Sequence, residues 1–267
     1  QIAPVFAAIT AEAGEKTAPA PDYGLAPASP APKTTQAAPV AEGVNKPIPQ
    51  PPATASAPRV LLVGGGSSHD FNKWFNEADR AILSTLKPAY LEYTDNANGV
   101  AAVLKNIDVL VWSANQPIAS ETAKALTEHV NAGKGLVIVH PGIWYNWKNF
   151  PEWNRDIVGG GSRGHDKYGE FQVDVVDHDH PVMNGVSDKF RISDELYYST
   201  PDPSGVPIRV LANAISPASG KTFPQVWIVQ HAKARIAAIT LGHDEKSHNL
   251  PEYQKLLKNA VNWASGK

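Results

Sequence analysis

Apolar residues in this chain fall into short unbroken runs separated by stretches of helical spacing, and that rhythm begins only at Arg59. The run 59–63 (RVLLV) follows Pro58 and ends in the Gly-rich stretch 64–70 (GGGSSHD). A helical pattern covers 71–86, so the opening unit is a strand, a loop and a helix. Residues 89–93 predict a second strand, 100–105 a short helix, and 108–113 (DVLVWS) a third, continuously apolar strand. Positions 121–131 predict a helix with Ser120 as its N-cap and Gly133 as its stop. The fourth strand opens the segment 135–147 (GLVIVHPGIWYNW), carries four aliphatic residues in a row and stops on His140. Strands alternating with helices at this spacing predict a parallel, doubly wound α/β sheet.

After Trp147 the rhythm changes. Residues 153–158 predict a helix, and 159–165 (GGGSRGH) a second Gly-rich loop. Strands are expected over 170–176, 190–198, 208–212, 225–230 and 235–241, antiparallel ones among them, with a polar turn at 177–181 (DHDHP). An amphipathic helix with Pro251 near its first turn closes the chain by Trp263. No internal repeat is visible.

Composition separates the N-terminal segment from this pattern. Residues 1–58 hold 16 Ala and 12 Pro and no periodic apolar face, too little burial to offset chain entropy. They read as an extended, partly polyproline-like arm or linker, leaving 59–267 as one α/β domain with a full core. One use for such an arm is to wrap a second copy of the chain, giving a homo-oligomer. The sequence has no Cys and one Met, Met183, and starts at Gln1. Together these features read as a processed export product, periplasmic or secreted. No apolar run reaches membrane-spanning length, and a formal charge of −2 gives no basis for nucleic-acid binding.

Ligands of open α/β sheets sit outside the carboxyl ends of the strands. His140 is the first residue past the fourth strand, the position at which a nucleophile elbow carries Ser or Cys. An imidazole there is a base or a metal ligand. His69 and His243 also follow strands, and His165 lies on an added loop. With strands one and four expected side by side, His69 and His140 share a crevice. Two or three His and one carboxylate suit a borderline divalent ion with an open position. The competing reading is that each His caps a strand and bonds to backbone. Asp194 and Glu195, adjacent on one expected strand, face opposite ways, so only one points inward, and Glu195 is the choice. Trp144, Tyr145, Trp147 and Trp153 suit the C–H faces of a sugar or else pack as core and lid. The first Gly-rich loop lacks both G-x-G-x-x-G spacing and a P-loop Lys, so no nucleotide cofactor is expected. His178 and His180 lie in a turn sequence and read as structural. A Ser-His-Asp triad has no G-x-S-x-G elbow to stand on, and amidotransfer has no Cys nucleophile.

In order along 59–267, His69-Asp70, His140-x-Gly142, Gly159-Gly160 with His165, and Asp177-x-x-His180-Pro181 are followed by F-x-I-x-DE-x-Y at Phe190, Ile192, Asp194, Glu195 and Tyr197. Pro224-x-Val226-Trp227 and Leu241-Gly242-His243 complete the set. This set resembles the trehalose-utilisation (ThuA-like) family, except that 230–235 (QHAKAR) stands where a G-x-G-R turn belongs. The resemblance implies a flavodoxin-like, class I glutamine amidotransferase-like fold and a role in sugar catabolism, including 3-keto-glycosides. In some members it implies a divalent metal, here zinc or manganese. On this reading His140, Glu195 and His243 are catalytic; Trp144, Tyr145, Trp147, His165 and Tyr197 bind a small-molecule carbohydrate; and His69, His140 and His243 hold the metal. A non-catalytic sugar-binding or assembly module is the second reading.

Overall fold

In the computed structural model, residues 46–145 and 147–266 are described. Most of the N-terminal arm, and with it any role in oligomerisation, lies outside them. The described part of the arm rests against the domain. Ile48 is buried in the core, the Tyr90 hydroxyl donates to the Pro49 carbonyl at 2.7 Å, and Arg59 donates to the carbonyls of Pro52 and Ala53.

The chain forms strands β1 (Arg59–Val63), β2 (Tyr90–Thr94), β3 (Val109–Trp112), β4 (Gly135–Val139), β5 (Gly160–Gly161) and β6 (Gly169–Val175). They are followed by β7 (Lys189–Asp194), β8 (Thr200–Pro201), β9 (Ile208–Ile215), β10 (Thr222–Val229) and β11 (Ile236–Ile239). The helices are α1 (Arg80–Ser84), α2 (Ser120–Asn131), α3 (Glu245–His248) and α4 (Pro251–Ala264). The turns leading into α1, Asn72–Asp79, are wound wide in the π manner, and short 3-10 turns replace the helix expected at 100–105. Helix α2 begins at Ser120 itself. Ala119 is its N-cap, and Asn98 Oδ1 accepts the Ala119 N–H at 2.7 Å, so Ser120 is not the cap expected.

One nine-stranded sheet runs β2-β1-β3-β4-β11-β10-β9-β6-β7. Strands β2, β1, β3, β4 and β11 are mutually parallel, and every neighbour beyond β11 is antiparallel. Strand β3 lies between β1 and β4, so the two are not the direct neighbours expected; this is the order of a flavodoxin-like sheet. The pleat explains the continuous apolar runs. Val60, Leu62, Val109, Val111, Val137 and Val139 face one core with α4, while Leu61, Val63, Leu110, Trp112, Leu136 and Ile138 face the other. Both faces are covered, so neither needs polar positions.

The antiparallel half determines which residues reach the rim. Counting outward from β11, direction reverses at β10, β9, β6 and β7, so β7 again ends at the rim where β1, β4 and β11 end. Strand β6 pairs with β9 only over Val173, Asp174 and Val175. The upper halves of β6 and β7 are therefore free to curl back, and Asp194 at the end of β7 meets Gly242 just past β11. Among the described residues no helix is long and apolar enough to cross a membrane.

Leu110 has no exposed surface in the middle of β3. Leu110→Ala is expected to lower unfolding stability by about 2–5 kcal/mol in urea titration, since the sheet cannot close the cavity.

Candidate metal centre

Val139 ends β4 in extended conformation, and His140 then takes φ 42°, in the left-handed region. A non-glycine residue there costs on the order of 1 kcal/mol or more and persists where its surroundings fix it. The surroundings are clear. Pro141 and Gly142 continue a tight turn, and a Cβ on Gly142 would lie 2.7 Å from the Trp112 carbonyl oxygen. The Trp153 indole N–H donates to the Gly142 carbonyl at 2.9 Å. This turn breaks the strand alternation and aims the imidazole along the rim instead of into either core.

Three further side chains converge on it. His69 comes from the loop after β1, His243 from the turn after β11 and Glu195 from the segment after β7. His140 Nε2 lies 3.0 Å from His69 Nε2 and 3.3 Å from His243 Nδ1, and His69 Nε2 lies 3.1 Å from His243 Nδ1. Glu195 Oε2 is 3.3 Å from His243 Nδ1 and 3.8 Å from His140 Nε2. One ligand atom from each residue falls within 4.8 Å of all the others. His140 forms the fully buried floor, and the other three are partly exposed, so the cluster opens to solvent on their side.

The protons on these rings are constrained. His140 Nδ1 faces the Thr240 carbonyl, which only accepts, so Nδ1 carries the hydrogen and Nε2 presents a lone pair. His69 Nδ1 is engaged by Ser68 Oγ at 2.6 Å. Burial pushes His69 down to about 2 and His140 down to about 3, with neighbouring imidazoles adding to the effect. Burial also opposes the charged form of His243, but the Glu195 carboxylate outweighs it and the net shift is upward. For Glu195, burial acts upward, while the hydrogen bond with His243 and the imidazoles of His140, His165 and His243 prevail and hold it at about 2. The cluster thus presents two imidazoles held neutral, His69 and His140, with the His243 ring and an ionised carboxylate beside them. That is the donor chemistry of a borderline divalent ion. Ligands about 2.05 Å from such an ion stand about 2.9 Å apart in octahedral and about 3.3 Å apart in tetrahedral geometry. The observed nitrogen separations match that range, so the residues fit the group.

Behind the donors lies a layer of support that the sequence did not disclose. Asp194 has no exposed surface and accepts from the backbone of Glu195, Gly242 and His243. The strand ends at Asp194, so alternation does not separate it from Glu195, and both carboxylates turn toward the centre. Thr240 bonds to the buried Gln225, whose amide donates to the Tyr197 carbonyl at 3.1 Å. Tyr197 is 3 % exposed and stacks on His140 at 4.6 Å, its hydroxyl 3.2 Å from His140 Nε2. Its ring is a wall of the His140 slot and not the substrate-facing surface expected.

The remaining expectations divide. Trp144 is half-buried and touches the rings of His165 and Tyr197 at 5.9 and 5.4 Å. His165 stays outside the set of four, with Nδ1 3.7 Å from Glu195 Oε1. Tyr145 has the Arg163 guanidinium 3.5 Å over its ring and, among the described residues, no ring contact with the cluster. Trp147 is a core residue: it is 5 % exposed, packs edge-on to Trp112 and Trp153, and donates to the Gln116 carbonyl at 2.6 Å. The expected substrate role is corrected for it, because the turn at His140 sends the following residues back over the sheet. Asp244 N-caps α3, while Tyr168, unremarked in sequence, sets its ring 5.3 Å from His243. His180 caps a 3-10 turn, and His178 pairs with Asp188 at 3.1 Å. Glycines 65 and 66 take φ of 112° and 132° because the side chains of Gln116 and Asn115 occupy the space a Cβ would need.

In metal-free protein, ring nitrogen NMR from pH 8 to 5 is expected to show His69 and His140 neutral throughout, while His243 takes its proton above 6.5. The unfolded chain binds protons on His69 and His140 near pH 6.5 and the folded chain does not. Their contribution to stability is therefore full above pH 6.5 and lost on acidification, by up to about 1.4 kcal/mol per imidazole per pH unit. His243 acts in the opposite sense.

Comparison with known proteins agrees with this fold. A ThuA-like protein from Parabacteroides merdae superposes with a TM-score of 0.68 at 23% identity, covering 79% of this chain and 91% of that one. A second, from Bacteroides uniformis, gives 0.63 at 22%, covering 81% and 95%. A beta-galactosidase from Rahnella sp. R3 shares the fold over part of its length, at 0.56 and 12%, covering 77% of this chain and 31% of that one. No curated protein sequence matches the chain. The ThuA family model, described as trehalose utilisation, matches residues 59–264, the span that contributes every donor and every brace of the centre, and the chain belongs to the ThuA family.

Proposed function

We propose that this chain is a carbohydrate-active enzyme whose centre is a divalent metal held by His69, His140, His243 and Glu195. The observation that carries the reading is the spacing of three imidazole nitrogens, 3.0, 3.1 and 3.3 Å, beside a carboxylate. The sugar part rests on the family description, trehalose utilisation, and on the aromatic residues at the opening. A glycoside or an oxidised 3-keto sugar is the substrate class.

When bound, the ion supplies Lewis acidity and lowers the pKa of a bound water or hydroxyl. The chain's own groups do the rest. His140 is locked in one tautomer by Thr240, so its Nε2 stays a donor and does not drift into proton exchange. Glu195 faces the imidazoles through Oε2 and His165 through Oε1. That places a carboxylate and an exposed imidazole side by side at the mouth, where they can take and return a proton. Trp144 and Tyr168 offer ring surface at the same mouth for the apolar face of a sugar.

The test begins with elemental analysis of protein purified without a His-tag, beside His140→Ala. Near-stoichiometric zinc or manganese in the wild type, lost in the variant, is expected; activity on glycosides and 3-keto sugars is then assayed with that ion. Absence of bound metal in both proteins sinks the metal reading and favours a sugar-binding module. Trp144→Ala should leave metal content intact and raise KM for the active sugar about tenfold or more; an unchanged KM removes Trp144 from the substrate site.

A further inference from the structure

We propose that Asp194 is the positioning residue of the centre, one buried carboxylate that sets two of the four donors, Glu195 and His243, together. The inference rests on the metal reading above and names the residue that makes the donor set rigid. Asp194 Oδ1 accepts the Glu195 N–H at 2.7 Å. Its Oδ2 accepts the Gly242 N–H at 2.8 Å, the His243 N–H at 3.4 Å and the Ser247 hydroxyl at 2.5 Å. Oδ1 also lies 3.9 Å from His140 Nδ1. Among the described residues no other side chain accepts backbone N–H groups from both the segment after β7 and the turn after β11.

The geometry explains why a carboxylate stands here. Every near partner is a donor, so an acceptor-only side chain satisfies them all, whereas an amide would turn its NH₂ toward an N–H or a hydroxyl. The turn it holds cannot hold itself. Gly242 takes φ 127°, and a Cβ there would meet the Tyr253 hydroxyl at 3.1 Å. Its N–H is fixed by Asp194, and its carbonyl accepts from His248 Nε2 at 3.0 Å. His248 is anchored in turn by the buried Asp79 at 2.7 Å. The peptide groups on either side of Gly242 are thus pinned from opposite sides. On the other side of the centre, the Asp194 bond orients the Glu195 backbone toward His243 and His140.

The test is cobalt(II) and zinc(II) affinity, by competition with a chelator, in wild type and in Asp194→Asn alone and combined with Glu195→Gln, His243→Ala or His69→Ala. Asp194→Asn is expected to weaken binding about 10- to 100-fold and to shift the visible bands of the cobalt form. The same substitution should cost less in the Glu195→Gln and His243→Ala backgrounds, whose donors it acts through, and its full factor in His69→Ala. An equal factor in all backgrounds, or a lowered melting temperature with affinity within about twofold of wild type, overturns the proposal and leaves the metal reading standing. If Asp194→Asn does not fold, Ser247→Ala decides: it removes one donor to Asp194, and a several-fold loss with a band shift supports the proposal, while unchanged binding overturns it. No cobalt or zinc binding by wild type overturns both.

Discussion

Lone pairs on imidazole nitrogens about 3 Å apart repel one another in a water-poor site unless a proton or a cation lies between them. The rim of this protein holds three imidazoles at that separation. His140 is fixed by a left-handed backbone and a carbonyl partner, His243 by a pinned glycine turn, and His69 by a serine. His140 cannot swing away without leaving its own Nδ1 and the buried Thr240 carbonyl unpaired. On the proposed metal reading, a cation between these nitrogens relieves that repulsion, and the ionised Glu195 beside them favours its charge.

The sheet supplies the places from which such a cluster can be assembled. Parallel strands β1, β4 and β11 all end at one rim, and each is followed by one histidine, His140 directly after β4 and His243 and His69 in the loops after β11 and β1. Three histidines far apart in sequence become neighbours without any of them sitting within a strand. The price is a set of glycines and one strained histidine at the points where the chain leaves the sheet.

Much of this was legible in sequence. Buried strands announce themselves by continuous aliphatic runs, and β1, β3 and β4 lie within a residue or so of where those runs place them. His140 stood out because it directly follows an apolar run, and His69 and His243 because each follows a glycine-containing stretch just past such a run. Less visible was whatever depends on pairing between distant segments. That β3 separates β1 from β4 is a matter of topology, which local pattern does not encode. Trp147 and Trp144 are three positions apart in one aromatic stretch, yet one is core and the other packs against His165 and Tyr197. Asp194 looked like half of a strand-end pair. Its partners lie about fifty residues away, so only the folded chain reveals them.

The alternating directions in the antiparallel half carry an evolutionary consequence. Glu195 reaches the histidines because an even number of reversals separates β7 from β11. Gaining or losing one strand in between would deliver that glutamate to the opposite end of the molecule, however well the new sheet packed. Gaining or losing a hairpin would not. Lineages that keep a carboxylate from this segment can therefore vary the outer sheet only two strands at a time, and a relative with an odd count must draw that carboxylate from elsewhere.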